Sequence, residues 1–254
     1  MNRKGHEKMT QICLDFCNNH MGDRSVLAKM LEIAADNNVD YVKFQLYNPS
    51  RLNENYPNYA NYFDYLCKHA LHENDIEYIF KTCDDLYLKP MFTIFSKDML
   101  KYLPSTSNFE LKIGSAEAHK KDLIEECIKL DTPVWVSTGM LTDKEFEEHK
   151  SILGGMVHYM YCISRYPTPY SMIDFNALKP GGYYKGFSDH TLGIEATKEA
   201  VKLKVELIEK HFTLSKYLPG KDHSMSITPD ELKALMNWKT MHEFVDKYRG
   251  RWVE

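Results

Sequence analysis

Short apolar runs recur along this chain, spaced so that one amphipathic helix fits between most neighbours. They are Gln11 to Phe16, Tyr41 to Leu46, Met91 to Phe95, Glu110 to Ile113, Val134 to Ser137, Val157 to Cys162, Tyr184 to Ser188 and Val205 to Glu209. Continuous apolar runs of this length, bounded by polar residues, are expected of parallel strands buried on both faces. Between them, Val26, Leu27, Met30, Leu31 and Ala34 make an apolar stripe at helical spacing, and Leu123, Ile124, Cys127 and Ile128 make another. Leu192 to Lys204 carries a third, through Leu192, Ile194, Ala196, Ala200, Val201 and Leu203. Two helix starts are marked by Thr-x-x-Glu capping boxes, Thr142 with Glu145 and Thr228 with Glu231, the second with Pro229 at its first helical position. Strand alternating with helix over 254 residues predicts the α/β class and a TIM (β/α)8 barrel, which typically takes ~250 residues. A single barrel domain over residues 1–254 is expected.

One stretch breaks the pattern. Tyr47 to Tyr65 sets Tyr47, Tyr56, Tyr59, Tyr62, Phe63 and Tyr65 among Asn and Pro residues, after the second strand and on the face where barrels carry their sites. It reads either as a lid or as a packed surface loop. Composition then narrows the partners. With 43% hydrophobic and 27% charged residues and a net charge of −4, the chain has no general polyanion-binding signature, and nucleic acid is not an expected partner. Cys13, Cys17, Cys67, Cys83, Cys127 and Cys162 include no Cys-x-x-Cys pair, which fits reduced thiols better than a disulfide framework or a zinc finger. The basic first residues lead into no apolar core of signal-peptide length, and no run is long enough to span a bilayer. A cytoplasmic protein without a membrane partner is expected.

The carboxyl ends of the eight runs are unusually polar. They present Asp15, Lys43 and Gln45, Thr93 and Ser96, Lys112 and Ser115 with Glu117, Ser137, Ser164, Ser188 with His190, and Glu209 with His211. Lysines in apolar strands need an anionic partner, and two of them among hydroxyls suit a phosphate or carboxylate ligand. Two other readings stay open: ion pairs with Asp15, Glu117 or Glu209 that only seal the barrel, or a lysine acting as a Schiff-base nucleophile. His190 and His211 end consecutive strands, which lie about 4.8 Å apart when paired, so both imidazoles are able to reach one divalent ion. The bland alternative is a pair of buried, hydrogen-bonded histidines.

Taken together, the motifs resemble the sialic acid synthase family, the phosphoenolpyruvate-dependent N-acetylneuraminate synthases and their relatives. The matching segments are Asn18-Asn19-His20-Met21-Gly22, Val42-Lys43-Phe44-Gln45, Thr93-Ile94-Phe95-Ser96, Lys112-Ile113-Gly114-Ser115-Ala116-Glu117, Val136-Ser137-Thr138-Gly139-Met140, Tyr166-Pro167-Thr168-Pro169-Tyr170, Gly186-Phe187-Ser188-Asp189-His190-Thr191 and Glu209-Lys210-His211-Phe212-Thr213. They occur in family order. The resemblance implies a barrel that condenses phosphoenolpyruvate with an aldose or amino sugar, giving a 2-keto sugar acid and phosphate. It places Lys43, Thr93, Lys112, Ser115, Ser137 and Ser188 on phosphoenolpyruvate, with Asn19, Gln45, Ser164, Tyr166 and Asp222 as further substrate contacts. It makes His190 and His211 ligands of Mn2+ or Mg2+, and Asp15, Lys43, Glu117, His190 and His211 the catalytic set. A homodimer is the family's usual assembly.

The chain departs from the family pattern at several points. Asp15 stands where glutamate is usual, Ser164 where asparagine is common, with Arg165 beside it adding a cation, and Ile94 replaces a proline. The chain reads to Glu254 without the small antifreeze-like domain of many members, which leaves the usual dimer and acceptor open. A metal-dependent or Schiff-base aldolase acting without phosphoenolpyruvate, and a barrel that has lost catalysis, are the competing readings. Charges kept at the mouth at a desolvation cost count against the last.

Overall fold

The structure, a computed structural model, is described for residues 9–52, 63–105 and 108–248. Eight parallel strands close into a TIM barrel in simple sequence order, β1 pairing with both β2 and β8. The strands are β1 Gln11–Asp15, β2 Tyr41–Leu46, β3 Lys89–Ile94, β4 Glu110–Ile113, β5 Val134–Ser137, β6 His158–Cys162, β7 Tyr184–Asp189 and β8 Leu207–His211. The helices are α1 Arg24–Asp36, α2 Pro49–Leu52, α3 Phe63–His69, α4 Glu73–Asp85, α5 Lys121–Ile128, α6 Asp143–Leu153, α7 Glu195–Lys202 and α8 Pro229–Tyr248. The connections β3–β4 and β6–β7 carry short 3-10 turns among the described residues, where a regular barrel would place helices.

The period of two along each strand divides the core. Ile12, Leu14, Val42, Phe44, Phe92 and Ile208 pack outward into the layer shared with the helices. Cys13, Tyr41, Met91, Trp135, Met160 and Leu207 form a separate cluster inside the barrel. Each strand therefore buries both faces, which is why its sequence reads as an unbroken apolar run. Beside the inner cluster, Glu110 is matched by three donors: Tyr41 Oη at 2.8 Å, Lys89 Nζ at 2.7 Å and Trp135 Nε1 at 2.6 Å. The apolar plug leaves the level above it, toward the strands' carboxyl ends, as the place for polar side chains.

Both sequence-read capping boxes are formed. Thr142 Oγ1 accepts from Glu145 N at 3.3 Å while Thr142 N donates to Glu145 Oε2 at 2.8 Å, and Thr228 N donates to Glu231 Oε2 at 2.9 Å. Three elements differ from the sequence reading by two residues or more. β3 opens at Lys89, paired with Tyr41, because Pro90 sits in the strand opposite Val42. β8 begins at Leu207 and runs on to His211, because Lys204 turns the chain at φ +59 before the strand can start. α7 begins only at Glu195, and Leu192, placed in the helical stripe by spacing, is 59% exposed in the loop before it. Most of the tyrosine-rich stretch, with Tyr56, Tyr59 and Tyr62, lies outside the described residues, and the lid expectation falls there.

A glycine fixes the inner packing. A Cβ on Gly186 of β7 would stand 2.7 Å from Met160 Cγ and 3.2 Å from the Leu207 carbonyl oxygen, so the strand ladder admits no side chain there. Gly186→Ala is expected to destabilise the barrel by about 1–3 kcal/mol through overpacking. Urea unfolding monitored by tryptophan fluorescence checks this, and an unchanged midpoint would contradict the packing argument.

Candidate active site

The strands' carboxyl ends converge on one buried polar layer. Lys43 comes from β2, Thr93 from β3, Lys112 from β4, Ser137 from β5, Ser188 from β7 and Glu209 from β8. Lys43 Nζ lies 2.8 Å from Asp15 Oδ2 and 3.5 Å from Glu209 Oε2, and it donates to Thr93 Oγ1 at 2.8 Å. Lys112 Nζ lies 3.3 Å from the same Glu209 oxygen. Ser188 Oγ donates to Glu209 Oε1 at 2.6 Å. The ion pairs offered as an alternative for the two lysines are therefore present, made with Asp15 and Glu209. Glu117 is buried on the turn after β4, 3.7 Å from Lys120 Nζ.

Burial raises a carboxyl pKa and lowers that of an ammonium, so these groups stay charged only because they hold one another. For Glu209 the cost of burial is outweighed by Lys112 and Lys43, which keep its carboxyl well below the usual carboxylate range. Asp15 is buried too, and Lys43 and His211 hold it below its ordinary value. Lys43 is shifted the other way: burial opposes its charge, but Asp15 and Glu209 raise it above that of a free lysine. Asp15, Glu209 and Lys43 are thereby held in their charged forms at neutral pH.

His190 stands one residue beyond β7 and His211 closes β8, their rings 5.3 Å apart and nearly perpendicular. His190 Nδ1 is anchored 3.0 Å from the Ile163 carbonyl oxygen, an arrangement that fixes the ring, and its Nε2 lies 3.5 Å from Ser188 Oγ. His211 Nδ1 is 3.2 Å from Cys17 Sγ, and its Nε2 is 3.5 Å from Asp15 Oδ2. Burial lowers the His211 pKa while Asp15 pulls it up less strongly, which favours the neutral imidazole that binds metals. Among the described residues, Asp15, Cys17 and His211 form one buried group whose potential ligand atoms lie within 4.8 Å of one another. These donors, with a second imidazole beside them, fit a divalent cation.

The hydroxyls divide into two kinds. Ser115 Oγ accepts from Gly139 N at 3.2 Å. Ser137 Oγ and Ser164 Oγ are buried without a hydrogen-bond partner. Gly139 permits this convergence, because a Cβ there would lie 2.7 Å from both Ser164 Oγ and the Cys162 carbonyl oxygen. Buried hydroxyls without partners are costly and point to an absent ligand. In a layer holding two ammonium groups, anionic oxygens suit them.

The remaining candidates lie around this layer. Gln45 is half-buried on β2 and pairs in register with Thr93. Tyr166 is half-exposed, its ring 4.2 Å from that of His190 and 6.0 Å from that of His211. Asp222 heads the turn His223–Met225, and its charge is felt by His211 and by Tyr65 of α3. Asn19 has its amide committed to the protein, with Nδ2 donating to the Phe212 carbonyl at 2.8 Å and to Ser226 Oγ at 2.9 Å. It ties the β1 loop to the segment after β8. Arg165 is exposed, with Nη1 3.5 Å from Met172 Sδ.

Two residues take larger parts than the sequence suggested. Glu209 is the anion shared by both lysines, and the available signal was its place two residues before His211 on the same strand face. Cys17 reaches His211 only because the chain turns through φ +44 at that residue. No spacing rule announces such a turn.

Residues 30–247 match the model of the NeuB family. The chain is 31% identical to N,N'-diacetyllegionaminic acid synthase of Campylobacter jejuni, over 90% of this chain and 75% of that protein. It is 29% identical to N-acetylneuraminate-9-phosphate synthase of Drosophila melanogaster, over 85% of this chain and 63% of that one. The crystal structure of N-acetylneuraminic acid synthetase from Leptospira borgpetersenii, in complex with citrate, shares the fold with a TM-score of 0.83 at 22% identity, covering 100% of this chain and 98% of that one.

The charge network has a signature in acid. Because the Glu209 carboxyl is held below its usual range in the folded state, the stability it contributes is complete above the unfolded carboxyl pKa of about 4.3 and is lost as pH falls toward the folded value. Lys112→Met leaves Glu209 with Lys43 alone, at an expected cost of roughly 3 kcal/mol near neutral pH. Acid unfolding of the variant, followed by circular dichroism, is expected to begin at a higher pH than in the wild type. An unchanged midpoint would contradict the assigned role of Lys112.

Proposed function

The chain belongs to the NeuB family, and from that premise we propose that it condenses phosphoenolpyruvate with an N-acetylated amino sugar or related aldose to give a nine-carbon 2-keto sugar acid and phosphate. The observation that carries this reading is the coexistence of two buried ammonium groups with buried hydroxyls that lack partners. The names of the relatives, a legionaminic acid synthase and a neuraminate-phosphate synthase, support the product class and differ in the acceptor.

In this reading Lys43, Thr93, Lys112, Ser115, Ser137 and Ser188 hold the phosphate and carboxylate of phosphoenolpyruvate, with Ser164 alongside. Lys43 and Lys112 then exchange part of their attraction to Asp15 and Glu209 for the ligand's oxygens, so their charge is never left uncompensated. His190 and His211 would hold Mn2+ or Mg2+, which supplies Lewis-acid polarisation of the acceptor aldehyde when bound. The enol carbon bonds to the aldehyde carbon, water adds at the carbon bearing phosphate, and cleavage of the carbon–oxygen bond releases phosphate. Asp15, buried and ionised beside Lys43, is placed to orient that water and accept its proton, and Glu117 is a second carboxylate for proton transfer. Gln45, Tyr166 and Asp222 line the acceptor's approach, and Asn19 positions the loop that follows Asp15. The Schiff-base alternative is not favoured at Lys43, since an amine nucleophile needs a depressed pKa and Lys43 is raised. No helix among the described residues is long and apolar enough to cross a membrane, in keeping with a biosynthetic role in the cytoplasm.

Phosphate release from phosphoenolpyruvate, measured with Mn2+ across a panel of aldoses and N-acetylated amino sugars, tests the proposal. The expected result is acceptor-dependent release, reduced at least about a hundredfold in Lys112→Ala and in His190→Ala. Absence of release with every acceptor would overturn it.

A further inference from the structure

Two buried charges flank the histidines and have no part in the chemistry above. Asp189 closes β7 immediately before His190, and Lys210 stands on β8 immediately before His211, the two paired in register. Strand alternation turns Ser188, Glu209 and His211 into the mouth and aims Asp189 and Lys210 the other way, toward α7. There both are enclosed, at 1% exposure each, and Lys210 Nζ lies 2.9 Å from Asp189 Oδ2. Thr197 of α7 donates to the same oxygen at 2.6 Å. Asp189 Oδ1 accepts from Thr191 N at 2.8 Å, which closes a turn around His190. Lys210 Nζ donates to the Thr191 carbonyl oxygen at 2.6 Å and reaches Thr191 Oγ1 at 3.5 Å. Thr191 is thereby held on its amide by Asp189 and on its carbonyl by Lys210, with His190 between the anchor points.

We propose that Asp189 and Lys210 are positioning residues for the metal site: their ion pair ties the His190 turn after β7 to His211 of β8, so that both imidazoles are presented to one divalent ion. The inference rests on the assignment of His190 and His211 as metal ligands in the proposed function and adds the residues that set their spacing. Stability does not by itself explain a buried ion pair, since apolar residues of the same volume are often as stabilising. What this pair adds is direction. The Lys210 ammonium spends its donors on Asp189 and on Thr191, so a slip of one strand end against the other breaks bonds to both. The His190 ring is anchored on the β6 side by the Ile163 carbonyl, and the clamp supplies the tie to β8. Removing partners that stand behind metal ligands lowers metal affinity by roughly 10–100-fold. The competing role is a pair that only docks α7 on the barrel.

Mn2+ binding, with the free ion counted by electron paramagnetic resonance, separates the two roles. Metal-free wild type is compared with Asp189→Asn/Lys210→Met, which removes both charges together and so leaves no buried ion unpaired. Thr197→Val, which removes one donor from Asp189 and alters neither strand, is measured beside it and carries the test if the double variant does not fold. Phosphoenolpyruvate affinity and thermal midpoint are determined on the same samples, and binding is read well below the midpoints. The expected result is Mn2+ affinity roughly tenfold or more lower in the double variant and roughly threefold lower in Thr197→Val, with phosphoenolpyruvate affinity within about twofold of wild type in both. A lowered midpoint with unchanged Mn2+ affinity, or Mn2+ and phosphoenolpyruvate affinities that fall together, assigns the pair to packing and overturns the inference while the synthase reading stands. Wild type that binds no Mn2+, or His190→Ala that binds it equally well, overturns instead the ligand assignment in the proposed function, and the inference with it.

Discussion

Glu209 sits between two lysines inside a closed barrel, and the arrangement of the mouth follows from that one shared charge. Its Oε2 faces Lys43 at 3.5 Å and Lys112 at 3.3 Å, while Oε1 takes the Ser188 hydroxyl at 2.6 Å. Ions in such a place are tolerated only when each is paired and hydrogen-bonded. Asp15 supplies the remaining negative charge, and two ammonium groups and two carboxylates balance within a few ångströms. Because the four come from β1, β2, β4 and β8, closing the sheet and balancing the charges are the same event.

A balanced layer need not be a functional one, and the hydroxyls decide between the two. Glu110, beside the apolar plug, has all its donors in place and reads as structure. In the layer above it, Ser137 and Ser164 turn buried oxygens toward no partner. A protein that only sealed its barrel would gain by filling those positions with apolar groups, since an unsatisfied buried hydroxyl costs about 1–3 kcal/mol. The surplus of donors matches a ligand rich in anionic oxygens. The candidate metal ligands Asp15, Cys17 and His211 stand on the β1–β8 side of the same mouth.

Much of the fold was legible because parallel strands buried on both faces leave continuous apolar runs, and polar groups stand out at their ends. The boundaries misjudged were those set by backbone turns, as at Lys204 before β8, or by a loop that merely continues a helical spacing, as at Leu192. In the site, Lys43, Thr93, Lys112, Ser137, Ser188, His190 and His211 were readable from strand-end position and motif order, and the structure brings them together. The central role of Glu209 was only half visible, because alternation shows which face a residue takes but not which charges it will meet across the barrel. Cys17 was invisible, since its contact with His211 depends on a positive φ. Asn19 was visible as a motif residue, but the structure commits its side chain to the protein.

In the proposed function the partnerless hydroxyls and the lysines of this layer form a cradle for the anionic oxygens of phosphoenolpyruvate. Equilibrium binding of phosphoenolpyruvate to Ser137→Ala and to the wild type, in the absence of acceptor, tests it most directly, with thermal stability measured alongside. Ser137 Oγ makes no hydrogen bond within the protein, so the variant should be at least as stable as the wild type. It should bind phosphoenolpyruvate roughly tenfold more weakly, the value of one hydrogen bond to a charged group. Unchanged affinity would contradict the cradle, and with it the reading of this mouth as a phosphoenolpyruvate site.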